Sequence, residues 1–249
     1  VNLFGKTNVP LNLADMQSYN EIYGTTNNPW DLSRGPGGSS GGSAASLAAG
    51  MTGLESGSDI GGSIRNPAHY CGVFGHKPTW GLLPPRGHAA PGVLAQSDLT
   101  VIGPLARSAA DLEVATLAMA GPDEIQAAGL QLALQPCPHP TLGSFRVAVW
   151  NNDDNAPVTE ETRKRIDAVA QAVKDAGGTV GYDARPDIDI DAAHNNYSSL
   201  LSAVMASRNP EEEYNRLLAR LNAADTPTEV KAGLQRQLAT YRDYSLANE

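Results

Sequence analysis

The sequence predicts an α/β protein, on three observations. Phe145 to Tyr182 reads strand, helix, strand. A short apolar run, Val101 to Leu105, leads into a helix that starts after Ser108. Two Gly/Ser loops flank a small-residue segment, Ser43 to Thr52, that reads as a third helix. Strands alternating with helices bury their apolar faces in layers around one core.

In chain order, Val1 to Phe4 reads as a short strand ending at Gly5, and Leu11 to Tyr23 as a short helix. Gly24 to Gly42 is rich in turn residues. Ser43 to Thr52 consists largely of strong helix formers with serine at its start. Gly72 to Trp80 reads as buried, and Leu82 to Ala95 as a Pro/Gly-rich loop. Ser108 is placed as an N-cap for Ala109 to Ala120, with Asp111 and Glu113 near the positive end of the helix. Gly121-Pro122 stops that helix.

Pro136 to Gly143 reads as a linker. Phe145 to Trp150 and Thr179 to Tyr182 read as strands. Between them, Thr159 to Ala176 carries Ile166, Val169, Ala170 and Val173 at spacings of three and four, an amphipathic helix closed by Gly177-Gly178. The tail from Ala192 is helical, with stripes at Leu200, Leu201, Val204, Met205 and at Tyr214, Leu217, Leu218, Leu221. Glu211-Glu212-Glu213 reads as a solvated helix face.

The two loops carry the chemistry. Gly37 to Gly42 reads Gly-Gly-Ser-Ser-Gly-Gly, and Gly57 to Arg65 reads Gly-Ser-Asp-Ile-Gly-Gly-Ser-Ile-Arg. Gly/Ser clusters are commonly linkers, yet each of these runs into an ordered, apolar segment. A serine nucleophile needs room around its hydroxyl and N–H donors aimed at the developing oxyanion. Glycines provide both, because no side chain blocks close approach.

Lys and Arg number 18 against 27 Asp and Glu, a net charge of −9. That balance disfavours nucleic-acid binding, which needs basic surface. No apolar run is long enough for a transmembrane helix. Two cysteines, Cys71 and Cys137, make no disulfide framework, and no Cys/His spacing resembles a zinc site. The expectation is a cytoplasmic protein with no metal or organic cofactor, no nucleic-acid or membrane partner, and a small-molecule amide as substrate; a homodimer is compatible.

Gly5-Lys6-Thr7-Asn8, Tyr23 to Trp30, the two loops, Cys71 to Thr79 and Gly103 to Ser108 occur in one order and separation. Together they resemble the amidase signature family, over residues 5–123. Residues 124–249 are compatible with it, so 1–249 is expected to be a single amidase domain. The resemblance implies a mixed β-sheet sandwiched between α-helices. It also implies a serine–cis-serine–lysine triad: Ser63 as nucleophile, Ser39 as the bridging serine joined to Gly38 by a cis peptide, and backbone N–H groups of Ile60, Gly61, Gly62 and Ser63 as the oxyanion hole. In the family the lysine base lies well upstream of the first loop. Only 38 residues precede Ser39, and Lys6 and Lys77 belong to other motifs. The chain therefore reads as a fragment whose base lies elsewhere.

Gly38 to Gly42 also matches the G-x-S-x-G elbow with Ser40 as nucleophile, but that template needs a strand directly before it. Asp59 and Arg65 read as a brace for the loop rather than as substrate contacts. Cys71 reads as core, and His76, Lys77, Trp30 and Trp80 as structural. Three functions follow: amide hydrolysis through a Ser63 acyl-enzyme; the amidase subunit of a tRNA-dependent amidotransferase; or a binding protein that has lost its base.

Overall fold

The computed structural model describes residues 2–3, 5–88, 98–154, 156–207 and 209–248. They form two compact units, one of residues 1–132 with 198–249 and the other of 133–197.

The first unit opens irregularly. A 3-10 turn spans Leu11–Leu13, and a two-residue ribbon pairs β1 (Tyr19–Asn20) antiparallel with β2 (Gly24–Thr25). The helix expected from Leu11 to Tyr23 is therefore absent. Asn20 explains part of this: its side-chain carbonyl accepts from Ile22 and Tyr23 N–H at 3.0 and 2.8 Å, a local bond that competes with helix. Asn2 and Leu3 are irregular, and Val1 and Phe4 lie outside the described residues.

Helix α1 spans Gly41–Ala48, two residues earlier at its start than expected and four shorter at its end. Every residue from Gly41 to Leu47 is buried. Small side chains on all faces let neighbouring backbone approach from every direction. Strand β3 spans Leu54–Asp59, the helix α2 Arg65–Cys71, the strand β4 Phe74–Gly75, and the strand β5 Val101–Ala106. The sheet order is β3-β5-β4, antiparallel throughout, with Gly57 opposite Gly103 and Asp59 opposite Val101. All six β5 residues are buried, so both faces of this sheet are covered. The core joins Ala44 and Leu47 of α1, Ile64, Ala68 and Cys71 around α2, and Leu105 of β5.

Two expectations are corrected here. The first half of the second loop, from Gly57 to Asp59, is strand, because β5 supplies a six-residue antiparallel partner. Gly72 to Trp80 is mostly not buried: Pro78 is, but Phe74 is 49% and Trp80 50% exposed. Strand β4 is a two-residue edge of the sheet, which leaves its outer side uncovered. Of the loop expected over Leu82 to Ala95, residues 82–88 are irregular and the rest lie outside the described residues.

Gly103 shows how tightly the sheet is filled. A Cβ there would overlap the backbone carbonyl of His76 and lie 3.0 Å from both Ile64 Cδ1 and Pro78 Cδ. Backbone cannot give way as a flexible side chain can. Gly103→Ala is expected to cost about 2–3 kcal/mol of stability, read as a lower urea midpoint with an unchanged slope.

Helix α3 spans Ala109–Met119 and packs against β5 and β4. Ser108 caps it as expected, its hydroxyl accepting from Asp111 N–H at 3.1 Å. Gly121, at φ +133, lies just past its end.

In the second unit, β6 (Arg146–Ala148) pairs parallel with β7 (Thr179–Gly181), and α4 (Glu160–Asp175) connects them. This is the strand–helix–strand unit expected, with shorter strands; a parallel pair requires such a crossover. Thr159 caps α4, accepting from Thr162 N–H. Ala170 and Val173 are buried, but Val169, assigned to the apolar stripe, is 67% exposed.

Helix α5 spans Ile190–Ala206, crossing from one unit into the other. Helices α6 (Glu211–Asn222), α7 (Thr228–Gln237) and α8 (Tyr241–Ala247) complete the first unit. The helical tail is as expected, with one difference: no residue of α6 is buried, so its Tyr214, Leu217, Leu218, Leu221 stripe is not a core face. Its three glutamates lie in the first turn, where the helix dipole favours them. Tyr244 donates to Asp98 Oδ1 at 2.7 Å, which ties α8 to the start of β5. Among the described residues no helix is long and apolar enough to cross a membrane.

Candidate active site

The fold brings the two Gly/Ser loops together. The first enters α1 and the second joins β3 to α2, and α1 and α2 pack side by side. Ser40 N–H donates to Ser63 O at 3.1 Å, a direct backbone link between the loops. Ser39, one residue earlier, therefore lies beside the Ser63 loop. Both serines are almost fully buried, Ser39 at 2% and Ser63 at 5% exposed. Neither hydroxyl bonds to another described residue. The Gly38–Ser39 peptide is cis.

Glycine is required by contact at several points in these loops. A Cβ on Gly57 would lie 2.6 Å from Ser40 Oγ, and one on Gly38 would lie 2.6 Å from Asp15 O. Gly37, at φ +82, would place a Cβ 2.5 Å from Asn66 Oδ1. Sequence patterning placed these glycines in loops; their purpose, close approach of other backbone and polar groups, is visible only after folding.

Asp59 organises the second loop. It is fully buried at the end of β3, and its carboxylate accepts from Gly62 N–H at 2.8 Å and Ile64 N–H at 3.1 Å. Arg65 adds a bidentate pair through Nε at 3.1 Å and Nη2 at 2.9 Å. Burial pushes the Asp59 carboxyl up, but the Arg65 guanidinium and the two N–H groups outweigh it and hold it below its ordinary value near 3.8. A carboxylate so surrounded stays ionised. The expected Asp59–Arg65 brace is what the geometry contains.

This brace divides the candidate oxyanion donors. Gly62 N–H is directed to Asp59. The Gly61 and Ser63 N–H groups donate to no described residue. Ile60 sits at the turn between β3 and Gly61. Consecutive N–H groups in such a bend form a nest suited to an anionic oxygen.

Two side chains that the sequence did not mark hold the first loop. Ser18 is fully buried; its hydroxyl lies 3.2 Å from Ser39 O and 3.3 Å from Gly37 O as donor, and accepts from Gly41 N–H at 3.0 Å. Asn66 Oδ1 accepts from Gly38 N–H at 3.1 Å. Neither residue lies within a Gly/Ser loop, and no spacing rule links Ser18 to residues about twenty positions later.

Other candidates separate cleanly. Ser40 has no strand before it and bonds weakly to Ser58 O at 3.5 Å, so the elbow reading lacks its context. Cys71 lies in the core, and burial pushes its thiol up to about 11, which leaves almost no thiolate at neutral pH. Trp30, read as a packing residue, is 73% exposed and held by its indole N–H on Cys71 O at 2.7 Å. His76 is structural, its N–H donating to Pro104 O at 3.0 Å. Neither Lys6 nor Lys77 hydrogen-bonds to Ser39 or Ser63.

Fold and site together define an α/β protein of the serine-hydrolase kind, with its serines on glycine loops and not on a strand-to-helix elbow. A family model for amidases matches residues 1–247, and the chain belongs to the amidase signature family of hydrolases. The glutamyl-tRNA(Gln) amidotransferase GatA-type chain of Synechococcus sp. (strain JA-3-3Ab) is 36% identical over 179 residues, 71% of this chain and 34% of that protein. Its counterpart in Saccharolobus solfataricus is 46% identical over 132 residues, 53% of this chain and 27% of its own length. Among solved structures, fatty acid amide hydrolase superposes at a TM-score of 0.75 with 25% identity, over 98% of this chain and 42% of that one. The Thermotoga maritima counterpart of the amidotransferase chain superposes at 0.72 with 29% identity, over 98% of this chain and 54% of that one. The chain spans about half or less of the length of these relatives.

Proposed function

We propose that this chain carries the serine half of an amidase active site and acts on a carboxylic amide through an acyl-enzyme at Ser63. The observation that carries the reading is the pair of buried, unbonded hydroxyls, Ser39 and Ser63, held side by side by the Ser40 N–H to Ser63 O bond. The substrate carbonyl oxygen enters the bend at Ile60 to Ser63 and takes the Gly61 and Ser63 N–H groups. Ser63 Oγ attacks the carbonyl carbon, and its proton passes through Ser39 to a lysine. The same path returns a proton to the leaving nitrogen as the C–N bond breaks. Water then releases the acid. The base is a lysine outside this sequence, and it serves only while neutral, so burial and neighbouring charge must depress its pKa.

A second reading rests on the curated relatives named above. There the ammonia freed at Ser63 is consumed within an amidotransferase complex rather than released. Free ammonia from simple amides in the absence of tRNA supports the first reading. Turnover that appears only with a charged tRNA and a partner protein supports the second.

The site itself is tested with a fluorophosphonate probe and intact mass on the enzyme carrying its lysine. One adduct on Ser63, lost in Ser63→Ala, is the expected result. An adduct on Ser40 or Cys71 with none on Ser63 overturns it.

A further inference from the structure

We propose that Ser18 is a positioning residue for the Ser39 relay, an inference that rests on the reading of Ser63 and Ser39 above. Ser18 lies before the first loop, between the 3-10 turn and β1, and is fully buried. Its hydroxyl reaches the loop at three places. As donor it sits between Gly37 O at 3.3 Å and Ser39 O at 3.2 Å, and as acceptor it takes Gly41 N–H at 3.0 Å. One hydroxyl thus spans both sides of Ser39.

Gly41 opens α1, and the first N–H groups of a helix lack an intrahelical partner. Ser40, at the N-cap position, makes no side-chain cap bond. Ser18 supplies that cap from a distant part of the chain. A Cβ on Gly41 would overlap Ser18 Oγ, so the glycine is what lets the hydroxyl in. Ser18 Oγ also holds the carbonyl of Ser39 and so limits rotation of the backbone that carries the relay hydroxyl. Asn66 holds the neighbouring Gly38 N–H from the α2 side at 3.1 Å. The relay loop is gripped from two elements, and the Ser18 grip is the one that touches Ser39 itself.

A residue that only stabilises the fold would lower the melting temperature and leave kcat unchanged at a temperature where the protein is folded. A positioning residue lowers kcat with little change in KM, because a relay displaced by a fraction of an ångström affects the transition state and not ground-state binding. In the full enzyme, Ser18→Ala is expected to lower kcat about tenfold to a hundredfold, with KM within twofold. The rate of Ser63 labelling by a fluorophosphonate is expected to fall in parallel. Ser18→Cys keeps a weak donor and acceptor and is expected to recover part of the loss; it also carries the test if Ser18→Ala does not fold. Wild-type kcat in either folded variant overturns the positioning role. Ser63→Ala, measured alongside, separates the two claims. If Ser63→Ala keeps full activity, the proposed nucleophile fails and Ser18 fails with it. If Ser63→Ala is inactive while Ser18→Ala turns over normally, only the positioning role fails.

Discussion

Ser63→Ala is expected to lower amide turnover by about 10⁴- to 10⁶-fold, the range seen when the nucleophile of a serine triad is removed. Stability is expected to change little, because Ser63 Oγ bonds to no other described residue. The fold needs only the small volume of this side chain, and alanine keeps most of it. The informative contrast is Ser40→Ala. Ser40 is equally buried and stands at the centre of the G-x-S-x-G match, yet its hydroxyl has only the 3.5 Å contact with Ser58 O. That variant is expected to retain turnover within a few-fold. Steady-state kinetics on both, with melting temperatures measured in parallel, decides between them. An inactive Ser40→Ala with an active Ser63→Ala would reverse the assignment.

Asp59→Ala is expected to cost about 3 kcal/mol, a figure set by leaving two buried N–H groups unsatisfied at roughly 1–3 kcal/mol each. Those groups are Gly62 and Ile64 N–H. The Arg65 pair adds little, because its side chain is 56% exposed and returns to water. Turnover should fall as well, since the same N–H groups fix the bend that carries Ser63. The urea midpoint of the variant measures the first effect and kcat the second. A variant as stable as the parent would show that the loop is held some other way.

The same carboxylate sets an acid limit. Its folded pKa lies below the ordinary value near 3.8. A depressed carboxylate pKa contributes stability above the unfolded pKa, and that contribution is lost as pH falls through the folded one. Asp59 therefore contributes fully at neutral pH, and its share declines as pH falls below about 4. Asp59→Asn should flatten stability against pH in that acid window and leave its slope near neutrality unchanged.

Much of this protein was legible in the chain itself. Local chemistry sufficed for the helix starting after Ser108, for α4 after Thr159, and for the strand–helix–strand unit, because capping and periodicity act over a few residues. The paired serines were legible for the same reason, since Gly37 to Gly42 and Gly57 to Arg65 announce tight backbone approach. Tertiary structure decided the rest. Leu54 to Asp59 has little intrinsic strand preference and became strand because β5 pairs with it along six residues. The α6 stripe has helical spacing but no partner that buries it, because periodicity states which side chains share a face and not what meets that face. Ser18 and Asn66 are ordinary polar residues in sequence. Only the folded chain brings Ser18 Oγ to Ser39 O and Asn66 Oδ1 to Gly38 N–H, since hydrogen bonds between distant segments depend on backbone geometry that no local pattern encodes.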